Sequence, residues 1–311
     1  MRIAIDAWDP SYGTAGGDAD SLVDSDVPTD VDLELPLERW RPLDADPTIA
    51  PWGSVVFVDG VQRIDAHAWV TASDGSAHQG RCVSVAAGAV RCNGSAALLD
   101  MRVDRALVAS ADGADHLATK HGTWRLEAIT SDDPTMFDRA IGKVRGSAEA
   151  LIASAVATSR DQLVVDGPLS QHSHLAGAIG YVKSIHARYG PPDVLRVAGQ
   201  LAAGQRTPLL LVGEGVARWS WYLRLPGPVA HPLAGVVRCE ASGGLSLAEA
   251  VVLADRSLCS LPRFASKPHR DARAPQNLEP IAGLERALRR RLGDQQLLLR
   301  TLRAAAMPSP A

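Results

Sequence analysis

The sequence contains no apolar run approaching the roughly 20 residues that span a bilayer; its longest runs, such as Leu209 to Val212, are short. Met1 to Asp9 carries one Arg and no apolar h-region, which argues against a secretory signal and sets the cytoplasm as the expected location. Cys82, Cys92, Cys239 and Cys259 form no CxxC pair and have no histidine knuckle nearby, which argues against structural zinc and leaves buried free thiols as the expectation. A basic excess is also missing: the formal charge is -3, so any nucleic acid must meet a local positive surface. There is no GxxxxGK[ST] loop, and hence no built-in NTP motor, and no internal repeat or low-complexity tract.

What is present is an ordinary globular mix, 46% apolar and 22% charged over 311 residues, enough to bury a sizeable core. Residues 1–50 read as an irregular acidic leader, residues 51–305 as one domain, and 306–311 as a flexible tail. Regular structure starts with the β-branched run Val55 to Val58, followed by alternating Ile64, Ala66, Ala68 and Val70. A Ser-Asp-Gly-Ser turn at 73–76 leads to strand around Val83 and Val85, and a further strand covers Leu98 to Val108. After Asp133-Pro134 the period changes: Phe137, Ile141, Val144, Ala148, Leu151, Ile152 and Ala155 recur at helical spacing. That helix feeds the strand Gln162 to Val165, which stops at Asp166-Gly167-Pro168.

Downstream, the pattern predicts a helix over about 175–189 closed by Gly190-Pro191-Pro192. Strands follow at Val194–Ala198, Leu209–Val212 and Trp219–Leu225, then a helix over 247–260 opened by the capping box Ser246-Leu-Ala-Glu249. A last helix spans about 280–304, flanked by Arg286, Arg289, Arg290 and Arg291. An antiparallel meander followed by helix, strand, helix, strand predicts an α/β fold whose mixed sheet includes parallel strands.

Two Asp-Gly pairs follow apolar strand runs, at Asp59-Gly60 and Asp166-Gly167. A strand-end carboxylate beside a glycine places a hard oxygen donor where a ligand can approach closely, although Asp-Gly is also the commonest hairpin turn. Pro168 disfavours the turn for Asp166. Glu149 lies at the border of the long helix's apolar stripe with Arg145 one turn earlier, either as a solvated i,i+4 pair or as a carboxylate held near the Asp166 strand. Three carboxylates drawn together repel one another, and a divalent cation relieves this. An all-oxygen ligand set selects Mg²⁺ or Mn²⁺, and two such ions can hydrolyse a phosphodiester.

The segments Val-Phe-Val-Asp59-Gly60, Lys143-Val-Arg145-Gly-Ser-Ala-Glu149, Leu163-Val-Val-Asp166-Gly167-Pro168-Leu169 and Gly180-Tyr-Val-Lys183 resemble, in order and rough spacing, the NurA nuclease family. The resemblance covers residues 55–185. It implies a ribonuclease-H-like core, metal ligation by Asp59, Glu149 and Asp166, and Lys183 near the phosphate. It also implies Mn²⁺ or Mg²⁺ as cofactor, DNA as substrate, a homodimer, and work beside a HerA-type hexameric ATPase. Family members usually end with a helix whose histidine joins the metal; Pro275 to Glu285 has none, and Glu285, Asp271 or nearby His269 are the alternatives. Arg145, Lys183, Arg224 and Arg238 are candidate phosphate contacts, and Trp219 and Trp221 are either buried or base-stacking. His172 and His174 read as surface-loop residues. Three functions therefore stand at this level: an end-processing DNA nuclease, a catalytically degenerate scaffold binding DNA or the ATPase, and a metal phosphohydrolase of small substrates.

Overall fold

The computed structural model describes residues 23–71, 74–110, 116–169, 175 and 177–306; His172 and His174 lie outside them. Strands β1 (Val55–Thr71), β2 (Ala77–Asn93), β3 (Ser95–Ala109), β4 (His116–Thr119) and β5 (Gly122–Ala128) precede helix α1 (Pro134–Val156). Then come β6 (Gln162–Asp166), β7 (Ile179–Val182), α2 (Pro192–Gln200), β8 (Leu210–Val212), β9 (Arg218–Arg224), β10 (Val236–Ser242), α3 (Leu247–Ser260), α4 (Glu279–Arg291) and α5 (Gln295–Ala306). No described helix is long and apolar enough to cross a membrane.

The main sheet is mixed, as the patterning predicts. The chain divides into two compact units, Met1–Phe57 with Arg91–Ala97 and Ala157–Ala282, and Val58–Val90 with Leu98–Val156 and Gly283–Ala311. In the first unit the order is Thr29–Asp30, β8, β9, β10, β7, β6, and in the second β1, β2, β3, β5, β4. β6 and β7 are parallel, with Tyr181 opposite Asp166, whereas β7 and β10 are antiparallel, with Gly180 opposite Glu240.

In the first unit the expected irregular leader holds short strands at Thr29–Asp30 and Leu43–Asp44. Trp40 from this segment is buried against Val194, Val197 and Tyr222 and donates its indole N–H to Val31 O at 2.9 Å. α3 carries the predicted capping box: Ser246 Oγ accepts from Glu249 N, and Glu249 Oε2 accepts from Ser246 N at 2.8 Å. Ser246→Ala removes one half of it and is expected to cost about 1 kcal/mol, read as a lowered thermal midpoint with unchanged far-UV dichroism.

In the second unit α1 lays Phe137, Ala140 and Ile141 on Val83, Ala106 and Val108. Burying a Phe or Ile is worth about 1.5–3 kcal/mol each, far more than the tenths of a kcal/mol separating helix propensities, so this face fixes where the rest of α1 points. Leu298 and Leu302 of α5 pack with Val70, Leu107 and Trp124.

Three local expectations are overturned. Residues 179–182 form β7, not part of a helix: Gly180 sits where a Cβ would meet Leu169 N at 2.8 Å, a close backbone approach that a sheet accommodates. Val194 to Ala198 belongs to α2, whose Pro191 and Pro192 preset its start and whose buried Val194, Val197 and Ala198 follow i, i+3, i+4 spacing. The single C-terminal helix is two, broken at Gly293 (φ +84), after which Asp294 Oδ1 accepts from Leu297 N at 2.7 Å and caps α5. All four cysteines are free; Cys82 and Cys239 are buried, whereas Cys92 and Cys259 are only partly so.

Candidate functional site

β1 does not turn at Asp59-Gly60. Its 17 residues run straight through the pair, so Asp59 is a mid-strand carboxylate, 5% exposed, whose Oδ1 accepts from Gly60 N at 2.7 Å. The glycine is there for α1. A Cβ on Gly60 would stand 2.3 Å from Glu149 Oε1 and 2.9 Å from Glu149 Cγ, so the missing side chain is what lets the Glu149 carboxylate rest beside the residue following Asp59. Glu149, 7% exposed, is paired with Arg145 one turn earlier, Nε to Oε1 3.3 Å. The border position read from the helical period is therefore a buried carboxylate resting on the strand, while the Arg145 side chain stays 41% exposed.

Asp166 closes β6. Gly167, at φ +101, takes a conformation that L side chains rarely adopt and bonds its N–H to Tyr181 O at 2.8 Å, turning the chain away directly after the carboxylate. Lys183, just past β7, donates from Nζ to Asp166 Oδ2 at 2.6 Å and to Asn277 Oδ1 at 3.0 Å. Asn277 Nδ2 donates in turn to Asp271 Oδ2 at 2.8 Å. Tyr181 gives its hydroxyl hydrogen to Gln276 O at 2.7 Å, and burial pushes its phenol well above the ordinary value. The other Asp166 oxygen, Oδ1, is buried and accepts no hydrogen bond.

In the second unit a carboxylate oxygen of Asp59 on β1 and one of Glu285 on α4 lie within 4.8 Å of each other. At an effective dielectric near 20, two unit charges that close cost on the order of 3 kcal/mol. In the first unit the charge of Asp166 is paired with Lys183. Of the three alternatives for the missing histidine, Glu285 of α4 is the one in this close pair; Asp271 bonds Asn277, and His269 is exposed.

No protein-family model matches the sequence, and no curated protein matches it either. The crystal structure of the NurA nuclease from Sulfolobus solfataricus does match by shape, with a TM-score of 0.51 over 88% of this chain and 90% of that one, at 11% sequence identity. The fold is NurA-like. That agreement covers far more of the chain than the 55–185 stretch that carries the resemblance in sequence.

Two of the expected phosphate contacts are buried. Arg224 is 1% exposed, and its guanidinium donates to the carbonyls of Ala234, Pro232 and Gly199. Arg238 is buried and paired with Glu240 at 2.9 Å, over the Tyr189 ring. Strand alternation puts both side chains on a packed face, which a reading of residue type alone misses. Trp219 and Trp221 are likewise buried, their indoles spent on Leu245 O and Ser257 Oγ. Gln276 and Asn277 carry polar roles that no spacing signalled; the only hint was an amide pair set between Pro275 and the start of α4.

Proposed function

We propose that the protein is a divalent-metal-dependent nuclease that hydrolyses phosphodiester bonds of DNA, with Asp59, Asp166 and Glu285 holding the cation. The observation that carries the reading is the buried Asp166 Oδ1 without a hydrogen bond on a NurA-like fold, with the close carboxylate pair Asp59 and Glu285 of the second unit as further oxygen donors. The donors fit a hard cation: all are carboxylate oxygens, which favour Mg²⁺ or Mn²⁺ over zinc, and Asp166 Oδ1 is a buried acceptor with no hydrogen bond, a costly condition that a bound cation relieves. When bound, the metal supplies activation of water and neutralisation of charge on the departing oxygen.

Water adds to phosphorus, the bond to the leaving oxygen breaks, and that oxygen takes up a proton. Lys183 holds Asp166 by one oxygen. In the two-metal form of the reaction Glu149, which rests against Gly60 and pairs with Arg145, would help to hold a second cation. Arg145 and the exposed run Arg286, Arg289, Arg290 and Arg291 on α4, the helix that carries Glu285, supply local positive charge for backbone phosphates in a chain of net charge -3. The same proposal includes a homodimer and a HerA-type ATPase partner, both taken from the resemblance to NurA nucleases; the sequence itself carries no phosphate loop with which to move DNA.

The test incubates purified protein with end-labelled single-stranded and duplex DNA in Mn²⁺, in Mg²⁺ and in chelator. Cleavage with metal and none with chelator is expected. Retained DNA binding with no cleavage under any metal would overturn the nuclease reading in favour of a non-cutting scaffold.

A further inference from the structure

Asn277 is fully buried and stands between two groups of opposite hydrogen-bonding character. Lys183 can only donate, and an ionised Asp271 can only accept. The amide is therefore oriented one way: Oδ1 to Lys183 Nζ at 3.0 Å, Nδ2 to Asp271 Oδ2 at 2.8 Å. Asp271 is itself fixed, its Oδ1 accepting from Arg273 N at 2.8 Å. The backbone next to Lys183 Nζ's own stem is pinned as well, since Gln276 Nε2 donates to Lys183 O at 3.2 Å. The line ends on Asp166 Oδ2, 2.6 Å from the ammonium.

We infer that Asn277 is a positioning residue for Asp166, acting through Lys183; the inference rests on the metal-holding role proposed above. A lysine side chain has about 2 kcal/mol of rotamer entropy, so an ammonium that loses the Asn277 anchor is freer to move from one Asp166 oxygen toward the other. With Asn277 holding it from the far side, Lys183 stays on Oδ2 and leaves Oδ1 for the cation. Asn277 touches neither metal nor substrate in this scheme. Its contribution is to stop a neighbouring cation from competing for the metal's ligand atom: Lys183 is the partner that bonds the ligand, where changes commonly shift metal affinity by about 10 to 100-fold, and Asn277 acts one step further out through it.

The test is a Mn²⁺ titration followed by the electron paramagnetic resonance signal of free Mn²⁺, without DNA, on wild type, Asn277→Leu, Lys183→Met and the double variant. Asn277→Leu is expected to bind Mn²⁺ about 10-fold more weakly than wild type. Added to Lys183→Met, the same change is expected to shift affinity less than about two-fold, because residues acting through one another are not additive. Unchanged affinity in Asn277→Leu overturns the inference, as does an equal loss in both backgrounds, which would mark a general packing role. If wild type binds Mn²⁺ and only the coupling is absent, the inference falls and the metal reading stands; if wild type binds none, both fall. Should Asn277→Leu not fold by far-UV dichroism, Asn277→Ser, which is small and polar but too short to span both partners, is titrated in its place with the same expectation.

Discussion

Asp166→Asn is expected to lower metal-dependent DNA cleavage by roughly a thousand-fold or more, the scale on which losing a group central to catalysis is felt, while the thermal midpoint moves little. The substitution keeps the shape of the side chain and an oxygen for Lys183 to donate to. It removes the negative charge, and with it the advantage of Asp166 Oδ1, which is buried without a hydrogen bond, as a ligand for a hard cation. Single-turnover cleavage at saturating Mn²⁺ measures this directly. A variant that cuts at the wild-type rate would place the chemistry elsewhere.

Gly60→Ala is the second large effect, expected at about a hundred-fold in cleavage rate, the cost of displacing a reacting-site group by about 1 Å. The new Cβ would lie 2.3 Å from Glu149 Oε1 and 3.0 Å from Arg145 Cγ, so the Glu149 carboxylate has to leave its place on β1. Alanine is otherwise acceptable in a strand interior, where glycine is if anything weakening, and overpacking of this kind costs about 1–3 kcal/mol of stability. The decisive comparison is between unfolding and cleavage. If cleavage stays at the wild-type rate in a folded Gly60→Ala protein, Glu149 has no part in the reaction.

Much of the architecture was legible because it is written in local periodicity. The β-branched start of β1, the helical repeat of α1 and the reciprocal Ser246 and Glu249 cap each follow from contacts within a few residues. The two inverted assignments, β7 and α2, are short, and there the deciding forces are tertiary: Gly180 is chosen by the nearness of Leu169 N, and Val194, Val197 and Ala198 by a buried face shared with Trp40 and Tyr222. Asp59-Gly60 had a turn and a ligand reading of nearly equal local merit; what separates them is that β1 continues for eleven residues beyond the glycine, to Thr71.

The candidate site was legible in its acidic members and not in their arrangement. Asp59 and Asp166 stand out by ending apolar runs, but Glu285 is one of three alternatives in sequence, and only the folded chain brings its oxygen within 4.8 Å of that of Asp59. Asn277 carries no signal at all until Lys183 and Asp271 are seen on either side of it. The burial of Arg224 and Arg238 was illegible for the complementary reason: an arginine reads as a surface cation until its carbonyl and carboxylate partners are known.

The central claim is that Asp59, Asp166 and Glu285 share one hard cation. A crystal of the protein soaked in Mn²⁺, with data collected for anomalous scattering from manganese, tests it most directly. The account predicts an anomalous peak about 2 Å from an oxygen of each of the three side chains, the bonding distance of a small divalent ion. A peak bonded to other residues, or none at these carboxylates under saturating Mn²⁺, would contradict it.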